Sequence, residues 1–352
     1  MVQRLRWGVI LEIIKRDSET QEVLVEVEGR REKALLYPQF TGEGEAGDRV
    51  LLNTTAVYLG LGTGGYHFGL LIEGKEERNN PDSGHIIKLR YTPYQFPVYS
   101  REEEKETIAE ELPPVIALPL HSMLAPVAIV LAEAGFTDTT YIMTDGGALP
   151  ISFSKLVRQL KAKGIIGETI TVGHAFGGDQ EMVNVYSALV AAGEKDSRFV
   201  IAGIGPGHVG TGTVWGFSGL QQGEILNAAS ALGTSGIGVP RISFTDRRRR
   251  HLGLSHHSQT SLGRVCQGHA YIFLPDIPGK NGELLKEQSL FLSGKKVFFR
   301  DPGPVKKVLK ENSELLSCMG RSYEQDSIYF ETGGLGAEGA LHIREKGDVF
   351  DR

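Results

Sequence analysis

Cysteine is nearly absent from this chain: Cys266 and Cys318 are the only two in 352 residues. Two cysteines in unlike contexts make neither a disulfide framework nor a CxxC metal site. They fit a reduced, cytoplasmic setting. No run of about 18 apolar residues occurs, so no membrane span is expected. Positive charge is not in excess. The formal net charge is −5, which argues against a general nucleic-acid binder. The opening MVQRLRWGVILEIIKRD holds only a short apolar run, interrupted by Glu12, and no small-residue cleavage site. It is not expected to act as a signal peptide. There is no GxSxG nucleophile elbow, no GK[ST] phosphate loop and no HxH or HxxxH pair to anchor a metal.

What remains is an ordinary globular composition, 40% hydrophobic and 23% charged, in a chain long enough for two domains. Residues 1–75 read as a small β domain of barrel type. Val23, Val25 and Val27 alternate with Glu22, Glu26 and Glu28, the period of a half-buried strand. LGLGTGGYHFGLLIEG reads as a hairpin around a glycine turn. Residues 76–113 read as a connecting segment, with the acidic REEEKETIAEELPP as a solvated helix.

From 114 to 352 the texture is α/β. PVIALPL, TYIMT, TITVG, FVIAGIG, PRISFTD and HAYIFLP alternate with helix-like segments. The strands are apolar almost throughout, which predicts a Rossmann-like parallel sheet flanked by helices. KKVFFRD reads as one more strand. PVKKVLKENSELLSCMG reads as a helix with Pro304 near its first position. The glycine-rich ETGGLGAEGALH (331–342) reads as a loop or a loosely ordered end.

In such sheets ligands bind beyond the carboxyl ends of the strands. The residues there are His121 and Ser122; Thr144, Asp145, Gly146 and Gly147; His174, Gly177, Gly178 and Asp179; the glycine loop 203–213; and Thr245, Asp246 and Arg247 to Arg250. FVIAGIGPGHVGTGT is the most informative of these. A buried strand that runs through a glycine loop into a helix offers backbone N–H groups to an anion. Gly205, Gly207, Gly210, Thr211, Gly212 and Thr213 are the candidate cofactor or anion cradle.

Gly205 to Gly210 matches GxGxxG, but it follows the fourth strand rather than the first. The acid at the next strand end, Asp246, lies well beyond the roughly 20-residue spacing of dinucleotide folds. A conventional NAD site is therefore not expected, and no cofactor is specified. Asp145, His174 and His208 are the candidate acid–base residues. Gly146, Gly147, Asp179, Arg249 and His256 are candidate substrate contacts, with the arginine run matched to oxyanions. The bland readings are glycines for tight turns, aspartates as helix caps and arginines on a solvated face. His256 and His257 are adjacent, and neighbours on a helix point about 100° apart, so one ligand is not expected to take both.

MTDGGALP (143–150), GHAFGGD (173–179), GIGPGHVGTGT (203–213), GLSHH (253–257) and LNTTAVYLGLGTGG (52–65) together resemble a family of bacterial proteins classified only as a domain of unknown function. The resemblance spans nearly the whole chain. It implies a bacterial, cytoplasmic protein of conserved architecture and transfers no catalytic residue. The leading expectation is binding of a small anionic metabolite, phosphorylated or nucleotide-like, by a hydrolase or transferase. The alternatives are a non-catalytic sensor or assembly component, and a metal-dependent hydrolase drawing on Asp145, His174, Asp179, His208 and Asp246. Self-association as a homo-oligomer is left open.

Overall fold

A computed structural model describes residues 3–62, 64–77, 84–104, 111–147, 149–194 and 197–346. The chain divides into two compact units, Met1–Pro81 and Asp82–Arg352.

The first unit is a closed barrel of five strands, in the order β1-β2-β3-β5-β4. They are β1 (Leu5–Arg16), β2 (Gln21–Val27), β3 (Arg30–Leu36), β4 (Arg49–Asn53) and β5 (Tyr66–Ile72), with helical turns α1 (Pro38–Thr41) and α2 (Thr55–Tyr58). The valine alternation of β2 points inward: Val23, Val25 and Val27 pack with Ile10, Leu36, Val50, Leu52 and Ile72. Closure leaves no unpaired sheet edge. The segment ahead of β5 is the turn α2 and not a strand, so the hairpin partner of β5 is β4.

In the second unit, the hairpin β6 (Ile86–Lys88) and β7 (Phe96–Val98) precedes an eight-stranded sheet. Its strands are β8 (Val115–Ala117), β9 (Thr140–Thr144), β10 (Thr169–Val172), β11 (Gln180–Met182), β12 (Val200–Ile204), β13 (Gly236–Gly238), β16 (Tyr271–Pro275) and β17 (Lys296–Arg300). Two short pairs lie apart, β14 (Ile242–Ser243) with β15 (Gly253–Leu254) and β18 (Ser317–Cys318) with β19 (Arg321–Ser322). The main sheet runs β11-β10-β9-β12-β8-β13-β16-β17, and every pairing is parallel.

The period of two sorts the sheet's side chains between two cores. Ile116 and Leu118 face α3 (Leu124–Glu133), α4 (Lys155–Ala162), α9 (Gly303–Glu311) and α10 (Ser327–Lys346). Val115 and Ala117 face α5 (Val185–Glu194), α6 (Gln221–Ala231) and α8 (Gly279–Ser289). The layering is Rossmann-like, as the alternation of apolar strands and helices predicts.

Several elements differ from the sequence reading. QEM opens an edge strand, β11, before α5 begins. PRISFTD does not enter the main sheet. That place is taken by β13, a Gly-Ile-Gly strand too short and too poor in side chains to register as one. ETGGLGAEGALH is no loop: it forms most of the 20-residue helix α10, buried along much of its length. Its glycines let neighbours approach. A Cβ on Gly339 would stand 2.0 Å from the Phe273 ring. Among the described residues of the acidic REEEKETIAEELPP, Arg101–Glu103 forms a single 3-10 turn; 105–110 lie outside them.

Candidate functional site

The strand order places β12, β8 and β13 side by side at the sheet's centre. The chain leaves β8 toward β9 and leaves β12 toward β13, in opposite directions along the sheet. That is a topological switch point, where parallel sheets open a crevice at their carboxyl ends. A cavity of about 620 Å³ sits there. The turn after β8 brings Leu120, His121 and Ser122 to its wall, and the segment after β12 brings Gly205, Pro206, Gly207, His208, Gly210 and Gly212. Arg241, Arg248, Arg250, His251 and His257 line it from the chain beyond β13, and Ser317 to Met319 from the region of β18.

The glycine segment does not pass straight into a helix. It folds back on itself: Thr211 N–H donates to the Gly216 carbonyl at 2.8 Å and Ser218 N–H to the Val209 carbonyl at 2.9 Å. α6 starts only at Gln221. The expected strand–loop–helix cradle is therefore replaced by a small flap. Thr211 and Thr213 fasten it through their hydroxyls, 2.9 Å apart, and both are exposed. Before the flap, no hydrogen bond among the described residues engages the amides of Gly205, Gly207 and His208. Gly207 holds φ at +96°, a backbone that side chains resist.

Two guanidinium groups converge on one carboxylate. Arg241 lies 2.7 Å from Asp246, and both side chains are buried. Arg248 grips the same carboxylate through two bonds, 3.0 and 2.8 Å. The hydrogen bond from Arg248 holds Asp246 well below the usual carboxylate range, with help from the charge of both arginines. Arg250 has no carboxylate partner among the described residues. Its guanidinium carbon lies 3.7 Å from where a Cβ on Gly212 would sit.

Behind this wall is a histidine cluster. Ring centroids of His251, His256 and His257 lie 4.3 to 5.0 Å apart. His208 stands 5.2 Å from His257, and Phe217 stacks on His257 at 3.9 Å. Burial pushes His208 down to about 4, and nearby Arg241 adds to the shift. Burial, then Arg241, takes His251 to about 3. His256 and His257 are lowered too, again chiefly by burial. All four rings are neutral at pH 7, with lone pairs available. His208 Nε2, His256 Nε2 and His257 Nδ1 are buried without a hydrogen-bond partner.

His121 is neutral as well, pushed down to about 4 by burial, and it pairs with Ser154 at 2.6 Å and Tyr141 at 3.1 Å.

The other sequence candidates sit elsewhere. Asp145 accepts the His174 amide at 3.0 Å, and His174 Nδ1 accepts the Leu89 amide at 3.1 Å, tying down the β6–β7 hairpin. Neither lines the cavity. Asp179 pairs with Lys161 and accepts the Thr169 amide and hydroxyl, which fixes a turn rather than a helix start. Gly146 and Gly147 pack behind the glycine segment: a Cβ on Gly147 would stand 2.5 Å from the Gly205 carbonyl. Arg249 begins a 3-10 turn outside the cavity lining. His256 belongs to the histidine cluster but does not face the cavity. Asp145, His174, Asp179, His208 and Asp246 form no ligand set; among the described residues the group with metal-ligating spacing is His251, His256 and His257.

Arg241 and His251 were not candidates in the sequence reading. Arg241 follows the unrecognised β13, so its place at a strand end was hidden.

Residues 33–337 match the family described as protein of unknown function, DUF3866. The chain belongs to that family. No curated protein matches the sequence. The crystal structure of UDP-N-acetylglucosamine 4-epimerase from Bacillus cereus is similar with a TM-score of 0.24 and 12% identity, over 60% of this DUF3866 chain and 99% of that one. So slight a likeness has no bearing on activity. No described helix is long and apolar enough to cross a membrane.

Proposed function

We propose that the central cavity binds a small anionic ligand, phosphorylated or nucleotide-like. One observation carries this reading: Arg250, a guanidinium with no carboxylate partner among the described residues, lines the same cavity as Gly205 and Gly207, whose amides engage no other described group. Unpaired amides and a guanidinium fork are complementary to oxyanions. Asp246 pairs with Arg241 and Arg248 and offsets one of their two charges, and Arg250 adds a charge with no carboxylate partner among the described residues. A volume of about 620 Å³ is within the range of small-molecule sites.

His208 and His121 line this cavity as neutral imidazoles. Both nitrogens of His121 are held by Tyr141 and Ser154, whereas His208 Nε2 has no partner among the described residues and can take a proton from a nucleophile, so hydrolysis or group transfer on the bound anion is the chemistry the site favours. Asp145 and His174 have no part in it.

The test is thermal stability of the EDTA-treated full chain with inorganic phosphate, nucleoside phosphates and sugar phosphates. Binding to the folded state raises the midpoint with ligand concentration. The rise is expected in the parent protein and is expected to disappear in Arg250→Ala and in Gly207→Val. Absence of any shift, or an equal shift in both variants, overturns the reading.

A further inference from the structure

We infer that His251, His256 and His257 together bind one divalent transition-metal ion of the zinc class. The inference stands without the anion reading, because it rests on the three rings themselves and not on Arg250 or the glycine amides. One ring nitrogen from each lies within 4.8 Å of the other two. A tetrahedral zinc with Zn–N bonds of about 2.0–2.1 Å sets its ligand nitrogens roughly 3.3 Å apart. Modest ring rotation closes the difference.

The chemistry of the three nitrogens suits this use. His256 Nε2 and His257 Nδ1 are buried and partnerless. An unsatisfied buried polar atom costs about 1–3 kcal/mol, and two side by side, each beside another imidazole, have no donor in reach. A cation satisfies both. The use of Nε2 from one residue and Nδ1 from the next also explains how neighbours in sequence serve one ion. The divergence of adjacent side chains on α7 (His256–Thr260) does not keep the rings apart, since one nitrogen of each comes within 4.8 Å of the others. His251 comes from the turn before β15. Its Nδ1 lies 2.7 Å from Ser255 Oγ and 3.3 Å from Arg241 Nη1; in the tautomer that donates Nδ1–H to Ser255, the ring is oriented and Nε2 keeps its lone pair for the metal. A hydrogen-bonded second nitrogen of this kind is the usual support for a ligating histidine.

Three neutral imidazoles with no carboxylate select zinc, cobalt, nickel or copper over magnesium or calcium, which require oxygen ligands. Three protein ligands leave a coordination position open. His251 and His257 line the cavity, so the ion would lie beside it. The positive charges that act on the cluster are Arg241, Arg248 and Arg250; Asp246 pairs with the first two and limits that part of the repulsion of the ion.

The experiment uses the full chain stripped with EDTA and dialysed, then titrated with Zn²⁺ by calorimetry, with Mg²⁺ as a control. One Zn²⁺ per chain and no Mg²⁺ are expected. His256→Ala and His257→Ala are expected to weaken zinc binding by more than about 100-fold, beyond what a supporting residue causes. His174→Ala is expected to leave it unchanged. Absence of stoichiometric zinc, or binding in both cluster variants as tight as in the parent protein, overturns the site. Should those variants fail to fold, Co²⁺ added to the parent protein decides: strong visible absorption of four-coordinate cobalt supports the site, and a weak six-coordinate spectrum overturns it. A phosphate shift that persists in EDTA while zinc fails to bind removes this inference and leaves the anion reading intact; the opposite pair of results does the reverse.

Discussion

Arg248 holds Asp246 in a fork, Nε at 3.0 Å from one carboxylate oxygen and Nη2 at 2.8 Å from the other. The second oxygen also receives Arg241 at 2.7 Å. The carboxylate therefore sets the position of two arginines on the cavity wall. Asp246→Asn removes the charge and leaves the buried Arg241 uncompensated. Loss of one partner from a buried pair typically costs about 3–5 kcal/mol. The expected outcome is a fall of that order in unfolding free energy, read from urea titrations. A loss under about 1 kcal/mol, the scale of an exposed pair, shows that the pair is solvated.

The same carboxylate gives a pH dependence of definite sign. Its folded pKa lies below its unfolded value, so the unfolded chain binds the proton more readily. The stability it contributes is full above the unfolded carboxylate value of about 3.9 and is lost as pH falls below it. In Asp246→Asn the slope of stability against pH below about 4 is expected to be shallower than in the parent protein. Parallel slopes show that Asp246 is not the group responsible.

His121 acts over a higher window. Its folded pKa, about 4, lies below the ordinary histidine value of 6.5. Between those values the unfolded state carries the proton and the folded state does not. Stability from this residue is complete above about 6.5 and declines as pH falls toward 4. His121→Gln is expected to make that part of the stability profile less steep by its own share, since His208, His251, His256 and His257 are lowered in the same way and remain, and to leave the Asp246 region unchanged. Resonances of the His121 ring in NMR titration give the direct check: a midpoint near 6.5 contradicts the burial argument.

The fold was legible where side chains repeat and obscure where they are missing. Val23, Val25 and Val27 announce their inward face because the period of two is carried by large residues. β12 and β16 are readable as unbroken apolar runs. β13 is Gly-Ile-Gly and carries a single side chain, so its place beside β8 depends on backbone pairing and on Leu226 and Leu262 filling the space over its glycines. α10 failed for the opposite reason. Glycine lowers helix propensity, and only the packing around Gly333, Gly334, Gly336 and Gly339 overrides that cost. At the site, the strand-end rule gathers Gly205, Gly207, His208, Gly210 and Gly212 with His121 in one lining. The same rule carries no information on side-chain partners. Asp145, His174 and Asp179 end on backbone amides, and Thr211 and Thr213 turn back on their own flap. The meeting of His251 with His256 and His257 depends on the β14–β15 fold-back, which no spacing in the sequence reveals.

Gly339 tests the packing of α10. Alanine in place of glycine raises helix propensity by about 1 kcal/mol. The added Cβ would stand 2.0 Å from one ring carbon of Phe273 and 2.4 Å from two others. Overpacking of a dense core costs about 1–3 kcal/mol or more, and Phe273 is buried in a strand with no open side to move into. Steric cost therefore wins, and Gly339→Ala is expected to lower the thermal midpoint. The double variant with Phe273→Leu is expected to lose less than the sum of the two single changes, since the smaller side chain makes room. Additive losses contradict direct contact.

Lys88 fastens the hairpin to the sheet's edge. It is buried, with Nζ 3.0 Å from Glu181 and 2.8 Å from the Ala175 carbonyl. Through these bonds the β6–β7 hairpin is anchored to the middle of β11 and to the turn after β10. Burial raises the Glu181 pKa even though Lys88 opposes it, so desolvation outweighs the attraction. Lys88→Met strands Glu181 in this setting. Removing one partner of a buried pair costs about 3–5 kcal/mol, and Glu181 then takes up a proton more readily. The variant is expected to be least stable, relative to the parent, at neutral and higher pH, and to recover part of the deficit as pH falls and Glu181 is neutralised. Lys88→Met with Glu181→Gln is expected to be more stable than Lys88→Met alone at pH 8. Urea unfolding at pH 8 and pH 5 distinguishes the cases. A deficit that does not change with pH, or a double variant no better than the single one, shows that lost packing rather than a stranded charge is responsible.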